Sequence, residues 1–100
     1  MFKDFFLGFV KTHILYHASK GPIYGVEMIE ELARHGYRLS PGTLYPTLHR
    51  LESDGYLTAQ KRVVGGKMRR YYTITERGTE VLDEAKKKIA ELVDEVLLDR

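Results

Sequence analysis

The chain has 100 residues, 43% of them apolar, enough for one compact core yet small enough that a partner chain would add to its stability. It has no cysteine, which excludes a disulfide framework, thiolate metal ligands and a cysteine nucleophile, and points to an intracellular, cytoplasmic setting. The net charge of +2 is spread unevenly: residues 1–33 carry −1, residues 34–77 carry +6 and residues 78–100 carry −3, so the middle block is the candidate polyanion-binding surface.

Phe6, Leu7, Val10, Ile14 and Leu15 fall at helical spacing and place a first helix over residues 2–19, stopped by Gly21-Pro22. The run Phe5 to Val10 is broken by Gly8, followed by Lys11 and lacks a small-residue cleavage site, so it reads as neither a secretion signal nor a membrane span. From Tyr24, the positions Val26, Met28, Ile29, Leu32 and Ala33 give a short amphipathic second helix ending at His35-Gly36. Ser40-Pro41 opens a third helix with an N-cap serine and a proline at the first helical position. Leu44, Leu48 and Leu51 line one face of it and Thr43, Thr47 and Arg50 another, up to Asp54-Gly55, with Pro46 predicting an irregular first turn.

Residues 56–64 and 68–75 are rich in β-branched and aromatic side chains and flank Gly65-Gly66, which predicts a β-hairpin with a basic tip. Thr75 then caps a last helix that carries Leu82, Ala85, Ile89, Leu92 and Val96 at alternating three- and four-residue steps, with Val93 and Leu97 beside them. The fold class is therefore mainly α with a β-hairpin. Three helices followed by a hairpin is the order of a winged helix-turn-helix, here residues 1–75, and residues 76–100 form a C-terminal helix packed with the first as one unit.

Arg34, Arg38, Arg50, Lys61, Arg62, Lys67, Arg69 and Arg70 all fall in or beside the reading helix and hairpin of that arrangement, as phosphate binding requires. The runs GPIYGVEMIEEL, SPGTLYPTLHRLESDGYL and GGKMRRYYTITERG closely resemble the PadR family of bacterial and archaeal repressors over about residues 14–82. One departure is Val26, where many relatives carry a second aromatic residue. The resemblance implies a transcriptional repressor that binds double-stranded DNA as a homodimer. It also implies that the C-terminal helix crosses the partner and that helix one joins the interface. Independently, a helix of about 23 residues spans roughly 34 Å and outruns so small a domain, so its apolar seam calls for a second chain.

These readings nominate residues. Thr43, Thr47 and Arg50 are candidates for base readout in the major groove. Ser40 and Gly42 stand where helix-end amides hold a phosphate, although plain capping explains Ser40 equally well. Tyr45 and Tyr24 each serve either packing or a phosphate contact through the hydroxyl. Lys67, Arg69 and Arg70 crown the hairpin as a DNA-gripping wing, unless Arg70 pairs with an acidic neighbour. The dimer interface is assigned to Phe5, Phe6, Phe9, Leu82, Ala85, Ile89, Leu92, Val93, Val96 and Leu97.

Phe2, Phe5, Phe6 and Phe9 read first as packing, and the resemblance adds a small aromatic or hydrophobic effector held between subunits. His13 and His17 share a helix face, but no Cys or acidic partner stands at a recognisable ligand spacing, so neither a metal nor a cofactor is expected. A nucleophile elbow and a phosphate loop are both missing, which leaves no support for an enzyme. A winged module that binds only protein fits poorly with the +6 block, and an RNA binder with the lack of stacking motifs.

Overall fold

The local rules of capping and turn chemistry place nearly every element boundary. The computed structural model describes residues 2–100 and contains α1 (Phe2–Lys20), α2 (Gly25–Arg34), α3 (Pro41–Ser53), β1 (Leu57–Val64), β2 (Lys67–Ile74) and α4 (Glu76–Leu92), which runs on into a π-helical turn at Val93–Leu97. Pro41 occupies the first position of α3, where a missing N–H is harmless, and the extended Ser40 receives the amides of both Thr43 and Leu44 on its carbonyl at 3.0 Å. The Ser40 hydroxyl makes no cap, however, and sits 3.4 Å from the Thr43 hydroxyl instead. Pro46 stays inside the helix. It forfeits one bond, to the carbonyl of exposed Gly42, which water can serve.

The hairpin pairs Leu57 with Ile74 through to Val64 with Lys67. Gly65 and Gly66 join the strands with φ of 58° and 78°, the two positive values that a type I′ turn demands. Ile23, between α1 and α2, exchanges backbone hydrogen bonds with Tyr72 at 2.9 and 2.7 Å and adds one residue of a third strand. Thr75 binds the last two elements together, because its hydroxyl accepts from the Gly78 amide at 3.0 Å and donates to the Gly55 carbonyl at 2.6 Å.

The core is shared by all of these elements. Val10, Ile14, Leu15 and Ala18 of α1 meet Ile23, Met28 and Leu32, then Leu44, Leu48 and Leu51 of α3, Leu57 and Tyr72 of the hairpin, and Leu82 of α4. Each fully buried leucine contributes about 1.5–3 kcal/mol, so the three on α3 decide which face of that helix turns outward. Among the described residues, no helix is long and apolar enough to cross a membrane.

Candidate nucleic-acid interface

The outward face of α3 is what its leucines leave over. Thr47 is only 8% exposed, and its hydroxyl donates to the Thr43 carbonyl at 2.8 Å. This corrects the expectation that Thr47 shares an exposed face with Thr43 and Arg50. At about 100° per residue, Thr47 lies about 40° from Leu51 and falls within the buried arc. Thr43 and Arg50 are exposed at the margin of the outward face, whose centre is Gly42, Pro46, His49 and Ser53. His49 was not among the sequence candidates; its signal was its place opposite Leu44, Leu48 and Leu51. Arg50 makes a loose ion pair with Asp54 at 3.5 Å, both side chains open to solvent, so the guanidinium can exchange partners at little cost.

Tyr45 and Tyr24 both have packing roles. The Tyr45 ring lies over Gly25, the first residue of α2, so closely that a Cβ added there would come within 2.6 Å of its hydroxyl oxygen. Tyr24 precedes α2 and stacks edge-on to Tyr71 at 5.4 Å, with the Arg69 guanidinium 4.1 Å above its ring.

Directly paired strand residues share a face of the hairpin, which sorts its cations into two sets. Arg62 with Arg69, and Lys67 with Val64, lie on the face that carries Gln60 and Tyr71, whereas Lys61 and Arg70 lie on the face that carries Ala59 and buried Tyr72. On the first face, Arg62 sits 4.9 Å over Tyr71, which completes a row of Arg62, Tyr71, Tyr24 and Arg69, two rings between two guanidinium groups. Arg62 and Tyr71 are further members of this surface that the sequence reading did not single out as site residues. Lys67 is exposed beside the turn.

Arg70 belongs to the inner face and is committed elsewhere. Its Nη2 donates to both oxygens of Glu52, at 2.8 and 3.0 Å, and so fastens the hairpin to the end of α3. The expectation that Arg70 crowns the wing is corrected accordingly. Beside it, burial pushes the Tyr72 hydroxyl above its ordinary pKa, and the Arg70 charge pulls it part of the way back.

The residues assigned to a dimer interface fall into two groups. Phe5, Phe6, Ile89, Leu92, Val93, Val96 and Leu97 are exposed, the last two at 67% and 73%, while Phe9 and Ala85 are half-buried. Leu82 is the exception at 3% exposed, because it fills the chain's own core; that assignment is corrected. Between α1 and α4 runs an open apolar trough lined by Phe5, Gly8, Phe9, Ala85, Ile89 and Leu92.

Comparison with known proteins agrees with this architecture. Residues 14–84 match the family described as "Transcriptional regulator PadR-like family". The chain is 50% identical over 95 residues to the transcriptional regulator Rv3488 of Mycobacterium tuberculosis, covering 95% of this chain and 89% of that protein. A PadR family transcriptional regulator from Eggerthella lenta superposes with a TM-score of 0.79 at 36% identity, over 89% of this chain and 79% of that one. A PadR-like transcription factor from Bacteroides fragilis does so with a TM-score of 0.83 at 28% identity, over 98% and 96%. With its three helices, hairpin wing and C-terminal helix in this order, the chain belongs to the PadR-like family of transcriptional regulators.

Proposed function

We propose that the protein is a cytoplasmic repressor that binds a pseudo-palindromic operator as a homodimer, with each α3 entering a major groove about one helical turn from the other. One observation carries this reading: in a chain of this family, the outward face of α3 and the Arg62–Lys67–Arg69 face of the hairpin are both solvent-facing and carry cations. Thr43, His49 and Arg50 read base edges, Arg50 being suited to guanine. The free amides at the start of α3, around Ser40 and Gly42, hold a phosphate at the positive end of the helix dipole. Lys67, with Arg62 and Arg69, grips the flanking backbone or minor groove.

The dimer reading is supported by the uncovered seam of Ile89, Leu92, Val93, Val96 and Leu97, which continues past the chain's own core and whose Ile89 and Leu92 share the trough with Phe5 and Phe9. A small aromatic or hydrophobic effector seated in that trough would alter the spacing of the two reading heads and release the operator. Binding and release of DNA account for all of these surfaces, and no catalytic step is needed.

The test is selection of bound DNA from genomic fragments, followed by binding to the best site across a salt series. The expected outcome is a two-fold symmetric motif with a salt dependence equivalent to roughly 6–10 phosphate contacts per dimer. A steep dependence with no enriched motif would remove base readout, and no binding at all would overturn the proposal. For the effector, calorimetry of the DNA-competent dimer against phenolics and cationic drugs should give saturable heat with at least one, and silence across the panel refutes that step.

A further inference from the structure

The sequence offers His13 and His17, one turn apart on α1, as an isolated pair. The fold supplies two more donors from α2. His35, just past the last turn of α2, brings its imidazole to the pair, so that the three histidines present ligand atoms all within 4.8 Å of one another. Glu31, one turn before His35, directs Oε1 at both His17 Nε2, at 3.3 Å, and His35 Nε2, at 3.6 Å. The His13 ring lies 4.9 Å from that of His35 and is stacked within 15° on that of His17. The group lines one side of a pocket between α1, α2 and α4, together with Phe9, Tyr16 and Leu82.

We propose that His13, His17, Glu31 and His35 form a binding site for a divalent transition-metal ion of the Zn²⁺, Co²⁺ or Ni²⁺ class. Three imidazoles and one carboxylate are a donor set that suits these ions and not Mg²⁺ or Ca²⁺, which require mainly oxygen ligands. The ring nitrogens of the three histidines and Oε1 of Glu31 are gathered in one cluster. Donors around a tetrahedral ion at 2.0–2.1 Å stand roughly 3.3 Å apart, so the histidine ligand atoms, all within 4.8 Å of one another, close by at most about 1.5 Å, within reach of small χ rotations in partly exposed side chains.

One further feature prepares the group for an ion. Arg34 holds the other carboxylate oxygen of Glu31 through its Nε at 2.9 Å, fixing Oε1 toward the histidines, as an outer-shell partner does in a metal site. The expectation of no metal site rested on linear spacing. It is revised because the ligands come as two i, i+4 pairs on separate helices, with the pairs brought together only by packing of α1 on α2. An ion here would pin α1, on the dimer side of the protein, to α2 of the helix-turn-helix.

The experiment uses the full chain, free of any affinity tag and stripped with chelator, titrated with Zn²⁺, Co²⁺, Ni²⁺ and, as a control, Mg²⁺. Calorimetry should show one transition-metal ion per chain, and the Co²⁺ form should show the intense visible bands of a four-coordinate site. Bound Zn²⁺ should also raise the thermal midpoint in a concentration-dependent manner. Separate His17→Gln, His35→Gln and Glu31→Gln variants should each weaken binding at least about tenfold, with far-ultraviolet circular dichroism unchanged, whereas Glu30→Gln should bind as the parent does. Transition metals that bind no better than Mg²⁺ would overturn the proposal, as would a Co²⁺ spectrum indifferent to all three variants. The outcome does not depend on whether the protein binds DNA.

Discussion

The contact between Gly25 and Tyr45 fixes how α2 and α3 meet, and it can be tested by adding one methyl group. Replacing glycine with alanine in a helix is normally favourable by up to about 1 kcal/mol, less at the first position. Here the new Cβ would fall on the Tyr45 ring, so Gly25→Ala forces that ring outward into solvent. Tyr45 is 38% exposed, which leaves room for it to swing, and the loss is then about half the ring's burial, ~1–2 kcal/mol. In a Tyr45→Ala background the collision is gone, and Gly25→Ala should become neutral or stabilising. Urea unfolding of the four proteins at one fixed concentration should therefore give a coupling of ~1–2 kcal/mol between the sites. Additivity within about 0.5 kcal/mol would refute the reasoning. Tyr45→Phe completes the set: it retains the ring, so any loss of operator affinity at unchanged stability belongs to the hydroxyl as a phosphate contact.

Three further outcomes follow from the same geometry. Thr47→Val preserves the branched shape and removes a hydroxyl bonded only to its own helix, so it should cost under about 1 kcal/mol and leave the selected DNA motif unchanged, while His49→Ala should alter preference at one or more positions per half-site. Lys67→Ala should lower the salt slope of operator binding by about 1 per chain; Arg70→Ala should leave that slope intact and lower the thermal midpoint instead, because its partner is Glu52. Leu92→Glu with Val96→Glu places charge in the exposed seam and outside the monomer core, so sedimentation should shift from dimer to monomer while helicity persists; an unchanged dimer would move the interface elsewhere.

Element order was legible because each boundary rests on a local device: Gly21-Pro22 after α1, Pro41 at the start of α3, Gly65-Gly66 in the hairpin and Thr75 before α4. Contacts between distant segments were not. Arg70 finds Glu52 across 18 residues, and the position of α3 beneath the hairpin is set by core packing, which no local pattern encodes. The histidine cluster was hidden for the same reason. Leu82 was placed in the dimer seam because it continues the spacing of Ala85, Ile89 and Leu92, yet Thr75 anchors the start of α4 to Gly55, so the first turns of that helix cover the chain's own core and only the later ones project beyond it.

Thr47 and the face that Arg70 takes, as distinct from its partner, differ in kind from those cases, because the sequence held enough to place both. Leu44, Leu48 and Leu51 define a buried arc by themselves, and Thr47 falls inside it once the angle is taken from the leucines rather than from the polar residues. The hairpin obeys a still simpler rule. A two-residue Gly65-Gly66 turn pairs Val64 with Lys67, and every later pair follows by alternation, so Arg69 and Arg70 must point to opposite faces. Leu57, Ala59, Tyr72 and Ile74 share a face with Arg70, against Thr58, Gln60, Tyr71 and Thr73 on the other, and the more apolar set marks the Arg70 face as inward. Arg62, Lys67 and Arg69 are then the set left for an external polyanion, with Lys61 and Arg70 on the other side. Because buried Tyr72 and its bridge to Ile23 hold that register, a single glycine inserted after Gly66 should be taken up as a longer turn and change operator binding less than Arg62→Ala does.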